Sequence, residues 1–377
     1  MSANKGVIWP AEPHTIAKIE MLRAYLYQWF SILGRRFEGK DLWYVDGCAG
    51  PGEYTNYQTG SPLAAMDAAQ ATLRDAAGRW RANKIHCVFV EENEPRFQHL
   101  EQKLAGIPKD SRIPQHLFRG TFANGVAWLR EQTPNPFASE DPIFAFIDPF
   151  GPSGLSFSAV KEFLGRPSCE VLINLDSDGI SRIKSAGEYA NHRTILNETF
   201  GDSDWEGELT GVDQAEIVQR ALALYKKKLR ALPGVRYAFS FEMRKRNHAF
   251  DYHLVFASHH PKGLEKMKEV MKRLDQNGTY CFSDDHVGQH NLFAWNDPTT
   301  HAADLQRHFA GCTVPYSDVN DYALNDSPFI NPKAMLKALE SAGNIRVQCT
   351  RARRKGTFPD DAHDGMMITF EQGLTNG

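Results

Sequence analysis

The 377-residue chain has no apolar run approaching the roughly 18 residues that read as a membrane-spanning helix, so no membrane partner is expected. Its first residues, Met-Ser-Ala-Asn-Lys-Gly-Val, lack the basic-then-apolar pattern of a secretory signal, which makes a cytoplasmic protein the expectation. The six cysteines (Cys48, Cys87, Cys169, Cys281, Cys312 and Cys349) lie too far apart for a Cys-x-x-Cys motif. They read as reduced, mostly buried thiols and not as a zinc site. Also missing are a Walker loop, a Gly-x-Gly-x-x-Gly dinucleotide fingerprint and a Ser-His-Asp nucleophile motif. There is no internal repeat and no low-complexity tract.

What is present is globular. Hydrophobic residues at 42% and aromatics at 11% suffice for a sizeable core and exclude a disordered or fibrous chain. At roughly 150 residues per domain, the length implies two or three compact units. The net charge of −3, from 43 Lys+Arg and 46 Asp+Glu, hides opposed blocks. Residues 226–277 hold 13 basic against 5 acidic side chains, whereas 278–330 hold 1 against 7. A polyanionic partner is therefore compatible with the near-neutral total.

Apolar spacing at Ile19, Leu22, Leu26, Phe30 and Leu33 predicts a helix over Thr15–Leu33, with Gly34 at its C-terminal cap. Four runs follow at Leu42–Val45, Ile85–Val90, Ile143–Ile147 and Val171–Leu175. They are largely apolar rather than alternating, as in parallel strands covered on both faces. Helical stretches at Pro62–Ala77, Pro95–Leu104, Ala123–Glu131 and Ser158–Leu164 alternate with them, which argues for a doubly wound α/β sheet. A helix over Gln214–Ala231, strands over Val235–Met243 and Tyr252–Ala257 joined by a turn at 244–248, and a helix over Pro261–Leu274 complete that domain. Three parts are expected: a helical segment over 1–40, the α/β domain over 41–277 and a small domain over 278–377. In the last, a helix over Pro332–Ala342 and strands over Ile345–Cys349 and Met366–Phe370, flanking a charged loop, suggest a winged-helix-like unit.

The segment Tyr44-Val45-Asp46-Gly47-Cys48-Ala49-Gly50-Pro51-Gly52 ends the first strand in a carboxylate. The glycines after it let backbone N–H groups approach a ligand closely. Asp46, Gly47, Gly50 and Gly52 are thus candidate cofactor contacts; the other reading is an ordinary strand-to-helix turn. Beyond the second strand, Glu91 is placed to accept both hydroxyls of a ribose, unless the acids there only favour the next helix start. Ile147-Asp148-Pro149-Phe150-Gly151 ends the fourth strand. This segment resembles a motif of methyltransferases acting on exocyclic amines, and the resemblance implies a chemical role: an amine on a nucleic-acid base has its lone pair delocalised into the ring. A carboxylate and a prolyl carbonyl accepting its two hydrogens localise that pair. Pro149 stiffens the backbone, and Phe150 offers a face for a base displaced from its helix. Asp148, Pro149 and Phe150 are the candidate catalytic residues; the other reading is a turn, which Asp-Pro and Pro-x-Gly both favour.

The first segment resembles the S-adenosylmethionine loop of class I methyltransferases, in the Asp-x-Phe-Ala-Gly-x-Gly form found among nucleic-acid enzymes, with Cys48 in the Phe place. The fourth-strand segment resembles the [Asp/Asn]-Pro-Pro-[Tyr/Phe] motif of methyltransferases acting on exocyclic amines, with Phe150 third and Gly151 fourth. Together with His14-Thr15-Ile16-Ala17-Lys18, Gly60-Ser61-Pro62, the run from Leu254 to Leu264 and the tail from Arg353 to Asp360, they make most of the chain similar to the three-Cys-motif partner family. That resemblance implies a Rossmann-like class I methyltransferase fold, S-adenosylmethionine as cofactor and a three-Cys-motif protein as partner. It also places Thr121 where such enzymes commonly offer an Asp to the adenine amine. The leading expectation is an S-adenosylmethionine-dependent methyltransferase acting on an amine of nucleic acid. The alternative is a non-catalytic subunit that keeps the fold to bind nucleic acid or its partner.

Lys226-Lys227-Lys228 with Arg230, the Arg244-Lys245-Arg246 turn and the lysines of 262–273 are candidate phosphate contacts if they share a face; a solvated surface is the other reading. Arg353, Arg354 and Lys355 in the C-terminal charged loop suit phosphate contact or protein docking equally. His259-His260 reads as a helix start and Asp284-Asp285-His286 with His290 as a polar loop, so no metal site is expected.

Overall fold

The computed structural model describes residues 6–76, 78–185, 190–211, 213–246, 251–275, 278–287, 297–359 and 365–372. The first five residues, Ala77, the Asn247-His248 part of the expected turn, Asn277, His290 and residues 360–364 of the charged loop lie outside the described residues. The chain divides into two compact units, residues 1–276 with 280–289, and residues 277–279 with 290–377.

In the first unit, β1 (Leu42–Asp46), β2 (Ile85–Glu91), β3 (Gln115–Arg119), β4 (Ile143–Ile147) and β5 (Cys169–Leu175) run parallel. With β6 (Tyr237–Arg244), β7 (Asp251–Ser258) and β8 (Cys281–Ser283) they form one sheet in the order β3-β2-β1-β4-β5-β7-β6-β8. β7 is antiparallel to both β5 and β6. Every residue of β1, β2 and β4 is buried, which is why these runs are apolar on both faces.

The helices are α1 (Pro13–Arg36), α2 (Ser61–Ala76), α3 (Glu94–Ala105), α4 (Phe122–Glu131), α5 (Phe157–Leu164), α6 (Ser177–Ser185), α7 (Ala190–Phe200), α8 (Trp205–Glu208), α9 (Gln214–Arg230) and α10 (Pro261–Leu274). Trp43 and Val45 of β1 share a core with side chains of α4, α5, α7 and α9. On the opposite side of the sheet, Tyr25 of α1 packs on Phe144 at 5.2 Å and Phe256 at 5.5 Å between ring centroids. The result is a Rossmann-like, doubly wound sheet with an antiparallel strand inserted near one edge. Three helices between β5 and α9 have no counterpart in the sequence expectations; α8 spans a single turn, too short for a periodicity signal.

Chain order reverses beside β1, with β2 and β3 to one side and β4 and β5 to the other. Such a reversal leaves a crevice beyond the strand C-termini. The register sets Asp46 opposite Phe146, and the Gly47 N–H donates to the Phe146 carbonyl at 2.8 Å. The loops after β1 and β4 therefore start side by side.

α1 belongs to this unit rather than to a separate segment over 1–40, for it packs against α2 and α10. Its start is held by Asp284, just after β8. Asp284 Oδ1 accepts the His14 N–H at 2.7 Å, and Oδ2 lies 2.6 Å from His14 Nδ1. The unit thus runs past the division expected at 277/278, because the three residues of β8 add to β6 as a short edge strand.

The second unit orders α11 (Pro298–His308), β9 (Thr313–Pro315), α12 (Tyr316–Asp326), α13 (Lys333–Ala342), β10 (Ile345–Gln348) and β11 (Met367–Phe370). Its antiparallel sheet, β10-β11-β9, closes a separate core containing Leu305, Val319, Leu336 and Phe370. The sequence pattern pointed only to α13, β10 and β11 here.

Asp284→Ala removes both bonds to the start of α1 and leaves β8 in place. The variant should lose about 1–3 kcal/mol of stability, read as a lower urea midpoint for the first unit's transition. An unchanged midpoint would contradict the anchoring.

Candidate functional site

β1 delivers Asp46, fully buried, to the floor of the crevice. Tyr44 Oη donates to its Oδ2 at 3.1 Å and the Cys48 N–H to Oδ1 at 3.3 Å, with Ser61 as a further partner. Burial pushes the Asp46 carboxyl up from 3.8 to about 7, outweighing these donors, and the nearby Asp148 charge adds to the rise. Gly50 adopts a left-handed φ of +64°, and a Cβ there would meet nothing within 4 Å, so the turn is open toward the cleft it lines. Its N–H donates to Glu91 Oε2, and the Asn93 N–H donates to Glu91 Oε1, both at 2.8 Å. Glu91, at the end of β2, is nearly buried; burial pushes its carboxyl up while the two backbone donors pull it down.

Gly47 backs onto Phe122, and the Gly52 carbonyl accepts the Gly60 N–H at 2.6 Å, returning the 53–60 loop to the glycine turn. Thr121 caps α4, its side-chain oxygen accepting the Asn124 N–H at 3.2 Å. The expected adenine acceptor therefore serves first as a helix cap.

Asp148 follows β4 directly. Lys18 Nζ, reaching over from α1, lies 2.5 Å from its Oδ2, and Asn174 Nδ2 of β5 donates to Oδ1 at 2.6 Å. The Lys18 ammonium also sits 5.3 Å from the centroid of the Tyr252 ring on β7. Phe150 is 61% exposed, with the Trp9 ring 5.8 Å away and Arg96 Cζ 4.8 Å from both rings. Gly151 has a φ of +84°, where an aromatic side chain would be strained, which accounts for glycine in the fourth place of the motif.

Two clefts meet at Cys48, Pro149 and Phe150. The larger, of about 630 Å³, runs past Gly47, Glu91, Thr121 and Phe122. The smaller, of about 280 Å³, contains Lys18, Gly50, Asp148 and Asn174. Tyr54 from the 53–60 loop and Trp9 from the N-terminal strap line this second cleft, and the two segments are tied together. The Thr55 N–H donates to the Trp9 carbonyl at 3.1 Å, and the Ala11 N–H to Asn56 Oδ1 at 2.7 Å.

Asp46, Gly47, Gly50, Glu91, Thr121, Asp148, Pro149 and Phe150 thus lie at one edge of the sheet, while Gly52 supports the loop behind them. Sequence reasoning missed Lys18, Asn174, Trp9 and Arg96, which arrive from four other segments. One signal was present: Lys18 falls on the buried side of α1, four residues before Leu22.

The basic segments are less free than their charge suggests. Arg244 makes two 2.9 Å bonds to Glu242, and Arg353 pairs with Glu340 with its side chain only 9% exposed. Lys228 binds Asp202 and Asp204, Lys262 binds Glu265, and Lys266 binds Glu269. Lys268 is buried, 4.3 Å from the Phe239 ring centroid. Arg246, Arg354 and Lys355 are exposed, and Lys245 lines the smaller cleft. His260 caps α10, its Nδ1 accepting the Lys262 N–H at 3.1 Å.

No family model and no curated protein sequence matches the chain. Among solved structures it is similar to a protein of Porphyromonas gingivalis assigned as a methyltransferase, at 13% identity and a TM-score of 0.27, covering 60% of this chain and 39% of that one. It is also similar to Trm1 of Pyrococcus horikoshii in complex with S-adenosyl-L-methionine, at 10% identity and a TM-score of 0.32, covering 74% and 64%. A cyclopropane synthase of Mycobacterium tuberculosis matches at 12% identity and a TM-score of 0.23, covering 74% of each chain. At these scores the likenesses carry no weight in assigning a function, which rests on the site.

A carboxyl with a raised pKa holds its proton more tightly in the folded than in the unfolded chain. The stability contributed by Asp46 therefore falls as pH rises from about 4 to about 7 and is level above that. Asp46→Asn should gain in melting temperature relative to the wild type on going from about pH 5 to about pH 8. A difference that stays constant with pH would remove the raised carboxyl from the picture.

Proposed function

We propose that the first unit is an S-adenosylmethionine-dependent methyltransferase whose acceptor is an exocyclic amine of a nucleic-acid base. The observation that supports this best is the meeting of the two clefts at Cys48, Pro149 and Phe150, beyond the β1 and β4 ends. The larger cleft offers what an adenosyl group calls for: the backbone at Gly47 and Cys48, the Glu91 carboxylate as acceptor and the Phe122 side chain as an apolar wall. Each Glu91 oxygen accepts one backbone N–H and keeps a further lone pair for a ribose hydroxyl. When bound, the cofactor supplies an electrophilic methyl group. In the smaller cleft Asp148 and the Pro149 carbonyl would accept the two amine hydrogens, and the exposed Phe150 would stack on the base.

One observation favours a second reading. Both Asp148 oxygens already hold protein donors, as they would in a non-catalytic subunit that keeps the fold to bind nucleic acid or its partner. For the second unit, the order helix, strand, helix, helix, strand, strand supports a winged-helix-like reading. Its exposed Arg354 and Lys355 would meet phosphates or the three-Cys-motif protein that the family resemblance implies.

Titration calorimetry with S-adenosylmethionine separates the two readings, and no heat at millimolar cofactor would sink the enzyme. Given binding, tritiated methyl transfer to nucleic acid should fall at least about 100-fold in Asp148→Ala. Transfer at the wild-type rate would take Asp148 out of the reaction. Affinity of the full chain for transfer RNA or duplex DNA should drop at least about tenfold between roughly 50 and 200 mM salt. A flat response would contradict contacts to phosphates.

A further inference from the structure

We infer that Lys18 is a positioning residue for the methyl acceptor, clamping the Asp148 carboxylate against Asn174 so that the site selects an amino group that still carries hydrogens. This rests on the methyltransferase reading of the two clefts. Lys18 lies one turn after His14, whose backbone and ring are both held by Asp284, so the depth at which α1 enters the site is set from β8. The lysine side chain is 8% exposed, and its helix neighbours Leu22 and Tyr25 are apolar and buried. An ammonium in such a place is strongly disfavoured unless it is paired and hydrogen-bonded. Its pair is the first residue after β4, at 2.5 Å.

Asn174 grips the carboxylate from the other side at 2.6 Å. With a donor on each oxygen, the carboxylate plane is fixed, and each oxygen keeps a lone pair for a substrate. The same contact orients Asn174, because only its nitrogen can face an ionised carboxylate. Its Oδ1 is left buried with no hydrogen-bond partner among the described residues, although Asn174 lines the smaller cleft beside Asp148. A group bearing two N–H bonds matches the Asp148 carboxylate, held by Lys18 and Asn174, and the Pro149 carbonyl together. A ring nitrogen without hydrogen matches neither.

The test uses the full chain and tritiated methyl transfer from S-adenosylmethionine to total RNA and to genomic DNA. No transfer by the wild type to either pool overturns the methyltransferase reading and the inference with it. Given transfer, Lys18→Met should lower the rate at saturating cofactor about 100-fold, with cofactor affinity by calorimetry within about threefold of wild type. Lys18→Arg, which keeps the charge, should restore most of the rate. In an Asp148→Asn background, adding Lys18→Met should cost less than about threefold more, because Lys18 acts through Asp148. A wild-type rate in Lys18→Met overturns the inference while leaving the methyltransferase standing. An equal loss in both backgrounds also overturns it, since Lys18 would then act elsewhere. Should Lys18→Met fail to fold, Lys18→Gln, with a neutral donor, is judged by the same outcomes.

Discussion

The backbone bond from the Gly47 N–H to the Phe146 carbonyl joins the end of β1 to the end of β4 at the place where the sheet changes its order of winding. Strands on either side lead their helices away in opposite directions, so the two loops beside that bond have open space above them. The glycine turn comes from one loop and the Asp148-Pro149-Phe150 segment from the other. Nearly a hundred residues separate them in the chain, yet the register sets Asp46 opposite Phe146. Whatever chemistry the protein performs here depends on that pairing holding.

Asp46, Glu91 and Asp148 stand at this edge, and their surroundings differ. Asp46 has only neutral donors and is fully buried, so its proton is held to about 7. Glu91 is tied by two backbone N–H groups, one of them from Gly50, which makes it a brace for the glycine turn as well as a candidate ligand contact. Asp148 is in direct contact with a cation, Lys18 of α1, at 2.5 Å, whereas Glu91 feels the Arg96 charge without such a contact. A charge pair in a half-buried crevice is stronger than one at the surface, and it is costly to break from one side. The strap and the 53–60 loop, bonded to each other, add cover to the same cleft.

The basic blocks of the sequence offer candidate phosphate contacts, and the fold turns much of that charge onto its own acids. Lysines of α9 and α10 find partners at Asp202, Asp204, Glu265 and Glu269, and Lys268 lies against aromatic rings. A sum over a segment counts charges without regard to which side of a helix each one takes. Local patterns fared better where they encode backbone needs. The apolar strands, the glycine turn after Asp46 and the cap at the start of α10 were all legible, because each depends on neighbours only a few residues away.

The α/β alternation, the carboxylate that ends β1, the acid that ends β2 and the Asp-Pro-Phe-Gly segment that follows β4 are all legible in the chain's local patterns. Those features follow from burial on both strand faces and from turn chemistry, which act over short stretches of chain. The placing of α1 and β8 in one unit, the reach of Lys18 to Asp148 and the contact of Asn174 with the same carboxylate emerge only once the chain is folded. Each of these joins residues a hundred or more positions apart, or two strands that meet only through the sheet order. No local propensity carries such information, since a buried lysine becomes tolerable only once its distant partner is in place.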